Sequence, residues 1–176
     1  ENAKLLIVGD AKPENAFALA KKSFGDWKKG YKPANIPVEP PQTARKTAAI
    51  DWPNPTHPFV MIGYHVPADL STSIDTATLD LVGEFLFSES APLYQDLVVK
   101  NQWVDFIQGG TSSSRDPGLF TVLARVKSDE LVPKVQETIG RYIHDLQTKP
   151  VDAKALDRIK SHQRYAFELG LDTPGN

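Results

Sequence analysis

No cysteine occurs among the 176 residues, which excludes a disulfide framework and thiolate chemistry. No apolar run reaches the roughly 18 residues that a membrane-spanning helix needs. A charge excess is missing too: 20 basic residues stand against 22 acidic ones, for a formal net charge of −2. That balance removes the electrostatic case for nucleic acid, and no segment has the basic amphipathic pattern of a membrane-surface helix. The chain opens on Glu1 with neither a charged n-region nor an apolar h-region, so no targeting segment is expected within it and its compartment stays unknown.

What is present is enough for one core. At 40% hydrophobic residues, one domain over residues 1–176 is the expectation. Lys4 to Val8 reads as a short buried strand. Pro13 then suits a first helical turn ahead of Phe17, Ala20 and Phe24, predicting a helix from Pro13 to Phe24 that ends near Gly25. The proline-rich "YKPANIPVEPPQ" reads as an extended surface crossing. Ala44 to Ile50 and Pro58 to Val66 look like strands separated by "DWPNPTH", and "FVMIGYHV" is apolar enough to be the central one. After Ser73 the period becomes helical through Ile74, Ala77, Leu81 and Phe85, and a short helix follows over about Pro92 to Lys100. Strands return at about Trp103 to Gln108 and Gly118 to Val126, joined by "GGTSSSRDPG" as a hairpin loop. Two helices close the chain, one lined by Val132, Val135, Ile139, Tyr142 and Leu146, the other by Leu156, Ile159, Gln163 and Ala166. This order predicts an α+β fold, a mostly antiparallel sheet with helices packed on one face.

Catalytic signatures are sparse. The "GDAKPE" turn lacks both the three-glycine fingerprint and the Walker lysine, and Asp10 would repel a phosphate; Gly9 relieving strain and Asp10 accepting helix amides explain it. The four histidines, His57, His65, His144 and His162, form neither an HExxH nor an HxxEH pair, so they are expected as surface or partly packed residues. Ser112 to Ser114 have no nucleophile-elbow pattern or local base. Trp27, Trp52 and Trp103 are expected chiefly as core or edge anchors.

Taken in order, "NAKLLIVGD", "FALAKKSFGDW", "PFVMIGYHVP", "LDLVGEFLFSESAPLYQDLV", "DPGLFTVLARV" and "LDRIK" resemble the second domain of the zinc peptidase superfamily that contains pitrilysin, insulin-degrading enzyme and the mitochondrial processing peptidase. The resemblance covers nearly the whole chain, with "LYQDLV" and "DPGLF" its most specific pieces. It implies a non-catalytic domain that supports a preceding zinc-bearing domain and lines a chamber for extended peptides. Zinc is then expected in the parent enzyme and not in this fragment, where no catalytic or metal residue is assigned. The implied partners are that preceding domain, a second peptidase half or homologous subunit, and the peptide substrate. A structural or assembly subunit that has lost zinc is the alternative. Where the zinc-free half often carries an arginine and a tyrosine, this chain reads "VVKNQWVDF", offering only Lys100 and Trp103, a departure that favours the zinc-bearing half and equally suits a degenerate, non-catalytic subunit. The stop just past "LDTP" is expected to mark an excerpt of a longer polypeptide.

A strand edge is the expected peptide-binding element, because an extended substrate can pair with unpaired amides and carbonyls. The candidates are Trp103, Ile107, Gln108, Gly109 and Gly110, with the two glycines in a continuing loop that permits close backbone approach. Proline at Ile107 or Gln108 is the corresponding probe.

Overall fold

The structure is a computed structural model that describes residues 3–28, 30, 34–35, 37–68, 73–112, 114 and 116–171. The chain divides into two compact units, residues 1–50 with 168–176, and residues 51–167.

In the first unit, helix α1 (Pro13–Phe24) has the bounds that its sequence predicts, with proline in the first turn, Glu14 beside it, and Lys21 and Lys22 in the last turn complementing the helix dipole. The Gly25 amide closes it onto the Lys21 carbonyl at 2.9 Å. Gly9 has φ +140°, a conformation that glycine reaches without strain, as the turn reading requires. Asp10, however, does not cap the helix: Lys12 is the N-cap and no side chain bonds there. The strands expected at Lys4 to Val8 and Ala44 to Ile50 are absent from the structure. A strand exists through its ladder, and among the described residues neither segment has a pairing partner, so apolar content alone does not make one. Tyr31 to Pro33 and Ile36 of the proline-rich crossing lie outside the described residues.

Among its described residues the second unit holds a sheet of three strands, β1 (Phe59–Val66), β2 (Val104–Thr111) and β3 (Gly118–Val126), in the order β1-β3-β2 with both pairings antiparallel. The apolar "FVMIGYHV" is therefore an edge strand, and β3 is central. Helices lie on one face: α2 (Ile74–Phe87), α3 (Pro92–Tyr94) continuing as a π-helical turn (Gln95–Lys100), and α4 (Val132–Thr148) after a 3-10 turn (Asp129–Leu131); α5 (Ala153–Gly170) follows α4 and has no buried residue among those described. Ser73 caps α2, its Oγ accepting from the Asp75 amide at 3.2 Å. Alternation along β3 sends Phe120, Val122, Ala124 and Val126 into the core, where they meet Leu86 and Phe87 of α2, Leu93, Leu97, and Val135 and Ile139 of α4. The opposite face of the sheet carries no helix-facing core. Phe59 and Met61 there are 55% and 71% exposed.

Candidate functional site

β2 is the second edge of the sheet, and its backbone sorts into two sets. The Val126 amide donates to the Pro58 carbonyl on the β1 side, and the Lys127 amide to the Trp103 carbonyl on the β2 side. Backbone groups alternate sides along an antiparallel strand. Those of Arg125, Leu123 and Thr121 therefore face β2, while those of Ala124, Val122 and Phe120 face β1. Through the register, Phe106, Gln108 and Gly110 turn theirs toward β3, and Ile107, Gly109 and Thr111 turn theirs outward. No other strand pairs with that outer edge among the described residues. A bulge between Val104 and Phe106 starts the strand with an extra residue.

The sequence places Gly109 and Gly110 in a loop, whereas the structure puts both inside β2, opposite Val122 and Thr121. The two glycines also differ. A Cβ at Gly109 would lie 2.4 Å from the Phe87 ring, so its bare Cα is what lets the ring of α2 sit flush on the strand; a Cβ at Gly110 would meet nothing within 4 Å. Ile107 is buried in the core, and Trp103 packs against that core with the Lys134 ammonium 5.9 Å from its ring centre. Gln108 is exposed. Of the five sequence candidates, the structure thus gathers Gln108, Gly109 and Gly110 at one place and directs the side chains of Trp103 and Ile107 elsewhere.

Between that edge and α2 opens a cleft of about 330 Å³. Gln108, Gly109, Gly110 and Thr111 form one side; Leu79, Asp80, Gly83, Glu84, Phe87 and Ser88 of α2 form the other, and Gln163 of α5 completes it. Asp80 and Glu84 stand one helical turn apart and so share a face. The sequence announces the helix, but not which of its faces meets β2, so these two carboxylates, Thr111 and Gln163 have no local signal as site residues. Ser113 and Arg115 of the hairpin loop lie outside the described residues.

A second polar group crosses the sheet near the bulge. His57 Nδ1 lies 2.9 Å from Asp105 Oδ2, and Arg125 Nε lies 3.5 Å from the same oxygen, outside hydrogen-bond geometry, so that N–H is buried without an acceptor. The guanidinium also lies 6.0 Å from the centre of the Phe59 ring. Asp105 titrates below its ordinary value of 3.8: the hydrogen bond with His57 is the main cause, slight burial opposes it, and the charges of His57, Arg125 and Lys127 add to it. A depressed carboxylate stabilises the fold above 3.8, and that contribution is lost as pH falls through the lowered value. Accordingly, an NMR titration of the Asp105 carboxyl carbon is expected to give a midpoint below 3.8 in the wild type and a higher one in His57→Ala. An unchanged midpoint would show that the contact does not persist in solution.

This pair does not extend into a metal site. Among the described residues no group of three or more His, Cys, Asp or Glu side chains could hold a metal ion, and His57 has Asp105 as its single carboxylate partner. Also among the described residues, no helix is long and apolar enough to cross a membrane.

Comparison with known proteins adds the following. Residues 1–162 match the family described as the Peptidase M16 inactive domain. The chain is 26% identical over 178 aligned positions to "Zinc protease PqqE" of Helicobacter pylori, an alignment covering 98% of this chain and 39% of that protein. The crystal structure of a protease from Helicobacter pylori superposes with a TM-score of 0.80 at 24% identity, over 96% of this chain and 41% of the other, a likeness of fold. The chain thus spans about two fifths of the length of the relatives it matches.

Proposed function

Because the chain belongs to the family of Peptidase M16 inactive domains, we propose that it acts as the non-catalytic domain of a zinc-dependent endopeptidase, supporting a separate zinc-bearing domain and offering extended peptides a strand edge on the chamber wall. The observation that carries the peptide-binding part is the outer edge of β2, where the backbone groups of Ile107, Gly109 and Thr111 face away from β3 and beside an open cleft. Strand addition there gives affinity through main-chain hydrogen bonds without any catalytic side chain on this domain. Zinc, in this reading, is bound by residues that this chain does not supply, and it provides the hydrolytic chemistry.

The register dictates which proline tests the reading. Gln108 turns its amide to Leu123, so Gln108→Pro removes a rung of the β2–β3 ladder and is expected to lower the melting temperature. Ile107→Pro replaces a buried core side chain. Thr111→Pro instead removes one outward donor at the end of the strand. In the full-length polypeptide, kcat/KM of Thr111→Pro for an extended peptide is expected to fall about tenfold, which corresponds to loss of one hydrogen bond of roughly 1.4 kcal/mol, with the melting temperature nearly unchanged. Wild-type kinetics in Thr111→Pro would place the substrate elsewhere.

A further inference from the structure

Resting on the strand-addition reading, we propose that the cleft beside β2 selects peptides with a lysine or arginine at the position that pairs with Gly109. The argument begins from side-chain direction. Residues directly opposite one another on neighbouring strands point to the same face of a sheet. Gly109 presents its Cα to Phe87, on the helix side. A peptide residue paired with it from outside therefore projects its side chain toward α2 and into the cleft. Gly109 itself leaves no side chain in the way.

The lining of the cleft then fixes the chemistry. Leu79 and Phe87 give it an apolar wall, Asp80 and Glu84 line it as charged groups, and among the described residues no cationic side chain lines it. Neither carboxylate takes part in an ion pair among the described residues. A long side chain with an aliphatic stem and a cationic head matches both parts: the stem covers Leu79 and Phe87, and the head reaches the carboxylates and the Gln163 amide oxygen. A glutamate in the same place meets two like charges, and an apolar residue leaves the carboxylates without a partner. The volume of about 330 Å³ is ample for one such side chain.

Fluorescence anisotropy on the full chain tests this with one extended peptide carrying lysine, norleucine or glutamate at a single position. The lysine peptide is expected to bind about fivefold tighter than the norleucine peptide, the size of two partly exposed charge contacts. Asp80→Asn combined with Glu84→Gln should erase that preference by weakening the lysine peptide to the level of the norleucine peptide, with the melting temperature as a check on folding. Thr111→Pro should weaken all three peptides by a similar factor. Equal binding of lysine and norleucine peptides, both sensitive to Thr111→Pro, would overturn the selectivity and leave the strand edge standing. A lysine preference that survives the double substitution would assign it to another site. Insensitivity of every peptide to Thr111→Pro would overturn the edge reading and this proposal with it.

Discussion

Leu97→Ala is expected to lower the unfolding free energy by about 2–5 kcal/mol, the range for large-to-small changes in a well-packed core. Leu97 is completely buried and sits in the π-helical turn Gln95–Lys100, one turn after the equally buried Leu93. The wide turn is tied down at several points. Asn101 donates through its amide to the Asp96 carbonyl at 3.1 Å and through Nδ2 to the same carbonyl at 2.9 Å. The Trp103 amide reaches the Leu97 carbonyl at 2.9 Å, with Gln102 at φ +52° reversing the chain between them. From α4, the Tyr142 hydroxyl donates to Asp96 Oδ2 at 3.3 Å, and partial burial followed by the Asp96 charge raises the tyrosine pKa. A turn held this way cannot close over the vacancy that alanine leaves, so the upper half of the range is expected. Urea unfolding followed by circular dichroism should show a lower midpoint at unchanged slope. A loss below about 1 kcal/mol would mean that the turn collapses into the gap.

Much of this second unit is legible in the sequence, for identifiable reasons. The helices and β3 show strong periodicity: β3 occupies the predicted residues, as α1 does in the first unit, and the Pro92 to Lys100 helix differs only in widening to a π-turn. Which strand is central is not legible from hydrophobicity. "FVMIGYHV" places Phe59 and Met61 on the face without helices, so its apolar run reflects an exposed surface and not double burial. β3 is central although its burial alternates, because an antiparallel sheet covered on one face alternates in its middle strand as well. The extent of β2 escapes for a different reason. Gly109 and Gly110 are turn-forming residues by local preference, and only Phe87, distant in sequence, explains why a strand needs glycine at that place. The candidate site follows the same rule: Gln108 to Gly110 are readable from one segment, whereas the Asp80 and Glu84 wall and the His57–Asp105 contact depend on pairs brought together by the fold.

The two glycines facing each other across α2 and β2 should respond in opposite directions. Gly109→Ala puts a methyl carbon 2.4–2.8 Å from three ring carbons of Phe87. That ring is buried and packs against Phe120 at 6.1 Å between centroids, so moving it disturbs the core that holds α2 on the sheet. Overpacking of this kind costs about 1–3 kcal/mol, and the strong backbone preference of alanine over glycine does not offset it inside a strand. Gly83→Ala places its methyl 3.4 Å from the Gly109 carbonyl, at the edge of ordinary contact, while removing a glycine from the interior of a helix, a gain of up to about 1 kcal/mol. Thermal melts of the two variants should therefore bracket the wild type, Gly109→Ala well below it and Gly83→Ala level with it or slightly above. The double variant isolates the contact: with Phe87→Leu, which clears the ring, Gly109→Ala should cost clearly less than it does alone. Equal cost in both backgrounds would show that glycine is required by the backbone of β2, and that the flush seat of Phe87 is a consequence and not the reason for it.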